Sequence, residues 1–362
     1  MFLKQLTIVN FKNLIQKDFR FTERINCFVG QNGVGKTNVL DSIYSLSMTK
    51  SYFNPISSQN INYDSDFFML QGAYQALERQ EKIVCSLKKG QKKVIKRNSK
   101  VYEKVSDHIG LIPVVIVSPA DRDLIVEGSE TRRKFIDGVI SQMNQEFLHA
   151  SIQYKKAIAQ RNALLKYFAA NRNFDELSLA AFDEQLIKFG LIIHRERKAF
   201  LDEFVSFFLK YYQAISGKNE QVNLIYKSQL NEADFVDVLR GALSKDRMVQ
   251  HSTAGVHKDD LLFEMHGYPI KKFGSQGQQK TFLVALKLAQ YDFLSAHSRS
   301  KPILLLDDIF DKLDDQRVGQ LIQLVSGDRF GQIFISDTHD QRTEEVVKQA
   351  DSSYEIFNLN DE

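Results

Sequence analysis

The chain contains a glycine-rich stretch whose residue types are suited to binding a triphosphate. This stretch, Gly30-Gln31-Asn32-Gly33-Val34-Gly35-Lys36-Thr37, follows a short apolar run and precedes apolar residues at helical spacing. Because glycines have no Cβ, successive backbone N–H groups can approach phosphate oxygens, and the helix that follows directs its positive end at the same anion. Lys36 can reach the terminal phosphates, and Thr37 offers a hydroxyl to Mg²⁺. The pattern predicts a P-loop between a strand and a helix.

A second set of polar residues with related chemistry lies far downstream. Ser275, Gly277 and Gln278 stand at the start of a helical pattern, which is a further anion site. A buried-strand pattern then ends in Asp307 and Asp308. Ligands of open α/β sheets bind at the carboxyl ends of strands, so both carboxylates are expected beside the P-loop. Asp307 fits the acidic residue that holds Mg²⁺, and Asp308 fits the group that orients or deprotonates the attacking water.

Two further details of this predicted site concern hydrolysis. An aspartate at position 308 is one methylene shorter than a glutamate, and because hydrolysis depends on positioning, slow turnover is expected. A last strand pattern ends in Asp337-Thr338-His339, and one of these three residues is expected to face the γ-phosphate. Spacing alone leaves open which one does so.

The elements that must position these groups indicate an α/β fold with a helical insertion. Short strand patterns form a meander between residues 68 and 95, and 111–118 is a continuous apolar run typical of a buried strand. Residues 131–212 carry helical stripes, broken near 171–173, that predict an antiparallel helix pair too short for a long coiled coil. The expected division is an ATPase lobe in two parts, 1–118 and 251–362, around a mainly helical lobe at 119–250.

Composition limits the class of protein without identifying a partner. The chain has 362 residues with 43% hydrophobic and 26% charged residues, which is typical of a soluble globular protein. The net charge of +3 does not by itself imply nucleic acid. The two cysteines, Cys27 and Cys85, lie in apolar runs and are expected to be buried free thiols. No basic leader or long apolar run is present, so we expect a cytoplasmic protein without a membrane association.

A cluster of cations on the predicted meander is a candidate DNA contact. The cations are Lys88, Lys89, Lys92, Lys93, Lys96, Arg97 and Lys100. They fit a contact to a phosphate backbone, but they equally fit a charged edge strand that resists aggregation. Both interpretations stay open.

Several motifs together resemble the ABC-type ATPases, and within them the RecF family. They are Gly30 to Asn38, Asn10 to Asn13, Ser118-Pro119 with Gly128 and Arg132 to Asp137, Gln160 to Leu165, Phe273 to Thr281, and Leu304 to Asp314. Departures include Lys12 where arginine is usual and Ser51 to Asn54, where the usual arginine is missing. The second departure puts the family's contacts in this loop in doubt.

The resemblance implies a particular fold and activity. The fold is an ABC-type ATPase head that binds ATP and Mg²⁺ and forms an ATP-dependent homodimer, in which Ser275 to Gln278 of one subunit close on the γ-phosphate bound at Lys36 of the other. The implied activity is ATP-dependent binding of single- and double-stranded DNA, with junctions between them as a further candidate, and slow ATP hydrolysis. The implied processes are recombinational repair, replication-fork maintenance and SOS induction. The implied partners are the mediator proteins RecO and RecR.

Three other classes share part of this pattern. An ABC transporter ATPase subunit is the first alternative, although its two half-sites normally lie closer along the chain. A chromosome-organising ATPase needs a much longer coiled coil, and a small-molecule P-loop kinase lacks the downstream signature. DNA affinity measured against salt, with and without ATP, separates these classes.

Overall fold

The computed structural model of the chain describes residues 1–76, 79–217, 220–308, 329–338, 343–345, 347–348 and 353–360. Its residues divide by contacts into two compact units. The first unit comprises Met1–Arg122, Tyr211–Gly217 and Gln276–Glu362, and the second comprises Asp123–Lys210 and Lys218–Ser275. The sequence motif from Phe310 to Asp314 and the helix expected after it lie outside the described residues.

The described strands and helices follow the chain in a fixed order. The strands are β1 (Phe2–Phe11), β2 (Leu14–Arg20), β3 (Ile25–Val29), β4 (Phe67–Ala76), β5 (Arg79–Lys88), β6 (Val94–Arg97), β7 (Lys100–Val101), β8 (Val114–Val117), β9 (Val222–Lys227), β10 (Asp260–Met265), β11 (Tyr268–Pro269), β12 (Ile303–Asp307), β13 (Ile333–Asp337) and β14 (Tyr354–Asn358). The helices are α1 (Lys36–Met48), α2 (Asp123–Val126), α3 (Ser129–Ser141), α4 (Gln145–Asn171), α5 (Glu176–Ser216), α6 (Phe235–Val249), α7 (Ile270–Phe273) and α8 (Gln276–His297).

The first unit contains two sheets. One has the order β14-β3-β13-β12-β8, and each neighbouring pair is parallel. The residues of β3, β8, β12 and β13 are buried throughout, as expected of strands covered on both faces. The strand β13 separates the P-loop strand β3 from β12, so their carboxyl ends lie at the same edge of the sheet.

The second sheet of this unit is antiparallel, with the order β2-β1-β4-β5-β6-β7. Aromatic rings join it to the parallel sheet. The ring of Phe19 on β2 meets Phe28 on β3 edge-to-face at 5.4 Å between centroids, and Phe21 meets Phe334 on β13 at 4.8 Å. Edge-to-face aromatic pairs add to the free energy of burial, so this cluster fixes the two sheets against each other.

The second unit is built from helices and a small sheet of order β11-β10-β9. Its long helices α4 and α5 are antiparallel neighbours, because Asn144, just before α4, bonds Glu196, whereas Arg161 further along α4 bonds Asp183. The Asn144 side chain also accepts a bond from the N–H of Phe147 and so caps α4. The helix α5 has 41 residues. Its last residues, Tyr211–Ser216, are grouped by contacts with the first unit.

The contact division differs from the sequence-based boundaries in three segments, 119–122, 211–217 and 251–275, of which the last is the longest. Residues 251–275 are grouped with the second unit, whereas the sequence analysis assigned them to the ATPase lobe. Strand pairing is the physical reason, since β10 pairs with β9 along its length and Arg132 on α3 forms an ion pair with Asp260 at 2.7 Å. The lobe boundaries as functional divisions stay a prediction.

Two expectations about the cysteines and the membrane can be compared with the described residues. Cys27 and Cys85 are both buried and free. Within the described part of the chain, no helix has the length and apolar character that crossing a bilayer requires.

Candidate functional site

The glycine-rich loop has the backbone geometry of an anion-binding turn. Gly33 and Gly35 have φ angles of 89° and 110°, in the left-handed region that favours glycine. A Cβ on Gly35 would lie 2.6 Å from Cδ2 of Leu14, so a larger residue also lacks space there. The helix α1 begins directly afterwards at Lys36, and its first N–H groups are therefore available to an anion.

The ammonium group of Lys36 is held by the loop itself. Its Nζ donates to the carbonyl oxygens of Gly30, at 2.6 Å, and of Gln31, at 2.8 Å, and the residue is 8% exposed. This places a buried positive charge beside the loop, where phosphate oxygens are its natural counter-charge.

A hydroxyl–carboxylate pair stands at the carboxyl edge of the parallel sheet. Thr37 Oγ1, on the first turn of α1, donates to Asp307 Oδ1 at 2.8 Å. The hydroxyl of Ser336, from β13, donates to the same carboxylate oxygen at 2.8 Å. Ser336 Oγ also accepts a bond from the N–H of Asp308 at 3.0 Å. Residues from α1, β12 and β13 thus converge on one carboxylate.

Burial raises the pKa of Asp307 above its usual range, although the hydrogen bonds from Ser336 and Thr37 act in the opposite direction. The next residue, Asp308, has a φ of 49°, which non-glycine residues adopt rarely. Such conformations persist where the surroundings impose them and are concentrated at functional sites. The raised pKa of Asp307 and the unusual backbone of Asp308 both mark this edge as a functional candidate.

One cavity of about 250 Å³ brings most of the predicted site residues together. Its lining includes Asn32, Gly33, Gly35, Lys36, Thr37, Asn38, Pro119, Asp307, Asp308 and Ser336. Gly30, Gln31 and Val34 belong to the same loop but are not among these lining residues. The convergence that the sequence predicted for Lys36, Thr37 and the two aspartates is present in the structure.

Ser275, Gly277 and Gln278, the second predicted anion site, lie at the start of the helix α8. Gly277 and Gln278 are in the first turn of α8, and Ser275 immediately precedes this helix. Their neighbours Gln276, Gln279 and Lys280 line a second cavity of about 360 Å³, which also includes Asp307 and Asp308 in its lining. Ser275 itself is grouped by contacts with the second unit.

Sequence reasoning assigned no role to several residues that support the loop. The side chain of Asn13 donates to Gly33 O at 2.9 Å, and Asn360 Oδ1 accepts a bond from the N–H of Gln31 at 2.8 Å. Ser336 was also missed. Its position at the end of a buried strand, one residue before the polar run at 337–339, was a signal that could have identified it.

The structure describes two of the three residues proposed to face the γ-phosphate, Asp337 and Thr338, and which of the three does so stays a prediction. The carboxylate of Asp337 is fully buried and accepts bonds from Thr343 Oγ1 and from the N–H of Thr338, both at 2.7 Å. His339 lies outside the described residues. The side chain from this strand that lines the cavity is that of Ser336.

The oxygen donors of this edge fit a magnesium ion. Mg²⁺ prefers oxygen ligands and usually takes one or two from the protein, with water and phosphate oxygens completing the shell. The Thr37 hydroxyl and the Asp307 carboxylate already touch, and a cation would relieve the desolvation that raises the pKa of Asp307. Clusters of three or more His, Cys, Asp or Glu side chains suited to a metal are absent from the described residues.

The cations of the basic hairpin differ in their bonding to other described residues. Lys93 Nζ donates to Thr49 O at 2.8 Å, and Arg97 forms a two-bond pair with Glu81. Lys89 lies 3.4 Å from Asp66 in an exposed pair. For the remaining four, Lys88, Lys92, Lys96 and Lys100, no ion pair or side-chain bond is found among the described residues. The bonded cations of the cluster therefore have a structural role, and those four are the candidates for a DNA contact.

The parallel sheet, the P-loop before α1 and the paired aspartates at the end of β12 define a P-loop ATPase head of the ABC type with a mainly helical insertion. The residues that the structure describes contain no long coiled coil. The family model described as RecF/RecN/SMC N terminal domain matches residues 2–362. The protein called "DNA replication and repair protein RecF" in Flavobacterium johnsoniae is 57% identical, with 99% of this chain and 100% of the relative covered. The chain belongs to the RecF family, as the sequence motifs predicted.

Other relatives and solved structures agree with this assignment. The Phocaeicola vulgatus protein of the same name is 48% identical over 100% of this chain and 97% of its own length. A solved structure described as the recombination mediator protein RecF-ATP in the RecFOR pathway has a TM-score of 0.87 and 31% identity, covering 94% of this chain and 92% of the other. A Pyrococcus furiosus Smc head domain, at 15% identity and a TM-score of 0.55 over 95% of this chain and 91% of the other, shares the fold.

Proposed function

We propose that this protein binds ATP with Mg²⁺ at the P-loop cavity and, in the ATP-bound state, pairs with a second copy to bind DNA. The observation that carries the proposal is the convergence of Lys36, Thr37, Asp307 and Asp308 on one cavity. The relatives described as RecF, and the RecF-ATP structure, support ATP as the nucleotide and DNA repair as the process.

Each cavity residue has a role that its position supports. Lys36 exchanges its bonds to the carbonyls of Gly30 and Gln31 for bonds to phosphate oxygens. Thr37 and Asp307 hold Mg²⁺, Asp307 through water. When bound, Mg²⁺ neutralises charge on the β- and γ-phosphates. Asp308 orients or deprotonates the attacking water, and its short side chain keeps turnover at or below about 10 s⁻¹, the median for enzymes.

The second copy completes the site in this proposal. Ser275, Gly277 and Gln278 of one subunit meet the γ-phosphate bound by its partner, since α8 presents an anion-binding N-terminus directly after Ser275. Closing the dimer on two ATP molecules then assembles the DNA-binding surface. The process we assign is recombinational repair, replication-fork maintenance and SOS induction in the cytoplasm, with RecO and RecR as partners. A solved relative described as part of the RecFOR pathway supports these partners.

DNA binding measured with and without ATP tests the proposal. We expect the affinity for fluorescent duplex and single-stranded DNA to rise with ATP and to fall with added salt, because cations on the protein replace counterions. We expect Lys36→Met to remove the ATP-dependent part of the DNA affinity. Lys4→Met, at an exposed lysine, is the matched control. Light scattering shows in parallel whether ATP produces a dimer. A Lys36→Met protein that keeps the full ATP-dependent gain refutes the assignment of the site.

A further inference from the structure

A buried ion pair joins α8, the helix that follows Ser275, to a turn beside the nucleotide cavity. Lys287 Nζ, on α8, lies 2.8 Å from Asp121 Oδ1, and the two side chains are 4% and 3% exposed. Asp121 belongs to the 3₁₀ turn Pro119–Arg122, which follows β8. Burying two charges is costly and is recovered only when their geometry is well defined. The pair therefore holds α8 in a specific position relative to this turn.

The same carboxylate also binds the loop that follows the P-loop helix. Tyr52 Oη donates to Asp121 Oδ1, and the N–H of Ser118 donates to Asp121 Oδ2 at 2.8 Å. The ammonium of Lys287 is 5.4 Å from the centroid of the Tyr52 ring, within range of a cation–π contact. Asp121 thus joins three segments of the first unit: the loop at Tyr52, the turn after β8, and α8.

The same loop is also bonded to the P-loop helix itself. Asp41 on α1 accepts bonds from Ser51 Oγ, at 2.6 Å, and from the N–H of Tyr52, at 2.7 Å. Its carboxylate is also paired with Lys12 at 2.6 Å. Asp41 is fully buried and lies one turn beyond Thr37 on α1. An unbroken chain of polar contacts therefore runs from Asp41 on α1, through Ser51 and Tyr52, to Asp121 and Lys287 on α8.

The position of this chain gives it a role at the site. Asp121 lines the cavity of about 360 Å³ that also includes Asp307, Asp308 and the residues Gln276, Gln279 and Lys280 of the first turns of α8. Lys287 lies about three turns along the same helix. A displacement of α1 would be carried to α8 along these contacts, because each link is short and the carboxylates of Asp41 and Asp121 are buried.

We propose that Lys287 and Asp121 are positioning residues, which couple nucleotide binding at α1 to the orientation of the α8 N-terminus through Tyr52 and Asp41. The inference rests on the proposed function, since it requires ATP to bind at the P-loop. It adds that these polar contacts within one subunit, together with the second subunit, determine whether Ser275 to Gln278 are oriented for dimer closure.

Hydrogen exchange and ATP titration of the full-length protein test this coupling. The double variant Asp121→Asn/Lys287→Met removes both charges and leaves no buried charge unpaired, and Lys287→Arg keeps the pair. Gln290→Leu, a buried polar side chain on α8 outside the chain of contacts, is the matched control. We expect ATP to change the exchange of amides 276–280 at least several-fold in the wild type, in Lys287→Arg and in Gln290→Leu. In the double variant this response is lost, while the ATP dissociation constant stays within about twofold.

Two results overturn the coupling. One is a double variant whose amides 276–280 respond to ATP as in the wild type, and the other is a wild type whose α8 amides do not respond to saturating ATP. Equal losses of ATP affinity and response in the double variant and in Gln290→Leu also count against it, because they indicate a general packing effect. The proposed function fails separately, if wild-type DNA binding is independent of ATP.

Discussion

Thr37 and Asp307 are separated by 270 positions in the sequence, and their side chains meet in a hydrogen bond of 2.8 Å. The first comes from the helix after the P-loop and the second from the end of β12, so this bond joins the two halves of the candidate site. It also places the two protein oxygens that we assign to Mg²⁺ in contact before any cation binds.

We expect Thr37→Val to reduce the contribution of Mg²⁺ to ATP binding. Valine matches threonine in shape but has no oxygen for the cation. The gain in ATP affinity on adding Mg²⁺ should fall at least about tenfold, or 1.4 kcal/mol. Isothermal titration with Mg²⁺ and with EDTA measures this gain. Thr37→Ser retains the hydroxyl and should keep most of it; an undiminished gain in Thr37→Val removes Thr37 from the metal site.

We expect Asp307→Asn to stabilise the protein without nucleotide at neutral pH. Burial raises the pKa of this carboxyl above its reference value of 3.8, so the folded state binds the proton more tightly than the unfolded state. By linkage, the contribution of Asp307 to the free energy of unfolding is largest below pH 3.8 and is lost as the pH rises through the folded pKa. Asparagine has no charge to bury and still accepts the bonds from Thr37 and Ser336.

The predicted gain of Asp307→Asn at pH 7 is about 1 kcal/mol, the usual size for a single stabilising substitution. Urea unfolding from pH 3.8, the reference pKa of this carboxyl, up to pH 8 measures it, and the gain should shrink towards the acidic end. The same variant should lose the Mg²⁺-dependent part of ATP binding. A variant that is less stable than the wild type at neutral pH contradicts this account of the site.

The sequence predicted the parts of the site that depend on local chemistry. The P-loop needs glycine, lysine and threonine at fixed spacing, and the acidic pair follows a fully apolar strand. Both patterns can be recognised in the sequence without the tertiary structure. The parallel order of the sheet then explains why Asp307 lies beside Thr37. Fold class followed from the same motifs.

The residues that were missed act through tertiary contacts that have no local pattern. Asn360 reaches the N–H of Gln31 because β14 pairs with β3, and the sequence analysis did not identify β14. The ion pair of Lys287 with Asp121 joins a helix to a turn that is remote in sequence. The helical pattern predicted to end near residue 212 continues in the structure to Ser216, the last residue of α5.

We expect Asn360→Ala to weaken ATP binding by acting on the shape of the P-loop. Its side-chain oxygen holds the N–H of Gln31, and losing one such bond costs about 0.5–1.5 kcal/mol. ATP affinity should therefore fall about two- to tenfold, and thermal stability should change little because the residue is at the surface. Asn360→Gln, which keeps a neutral amide acceptor, is the control. If Asn360→Ala binds ATP as tightly as the wild type, the contact does not position the loop.

We expect Lys92→Gln to reveal whether the basic hairpin contacts DNA. Lys92 is exposed, whereas its neighbour Lys93 is bonded to Thr49 O, so a change at Lys93 would also disturb the fold. If Lys92 meets a phosphate, the slope of log affinity against log salt should become shallower by about 0.9 for duplex DNA. DNA binding over a salt series measures this slope, with Lys4→Gln as the control. An unchanged slope assigns Lys92 to a solvated edge strand.

We expect His257 to make stability fall as the solution becomes mildly acidic. Its Nε2 faces Ser252 O at 3.1 Å and must donate, so Nδ1 accepts the hydroxyl of Tyr154 at 2.9 Å. Burial lowers the pKa of His257 from 6.5 to about 4. Because the unfolded state binds the proton more tightly, this contribution is fully present above pH 6.5 and is lost as the pH falls through the folded pKa of about 4.

The full loss linked to His257 is roughly 3 kcal/mol, at about 1.4 kcal/mol for each pH unit of the shift. Urea unfolding of the second unit, followed between pH 7 and pH 4.5, should therefore show a steeper decline in the wild type than in His257→Gln. Glutamine does not titrate and offers both a donor and an acceptor. At pH 7 the variant is expected to be less stable, because its geometry differs from that of imidazole. Parallel pH profiles for the two proteins contradict a buried neutral histidine at this position.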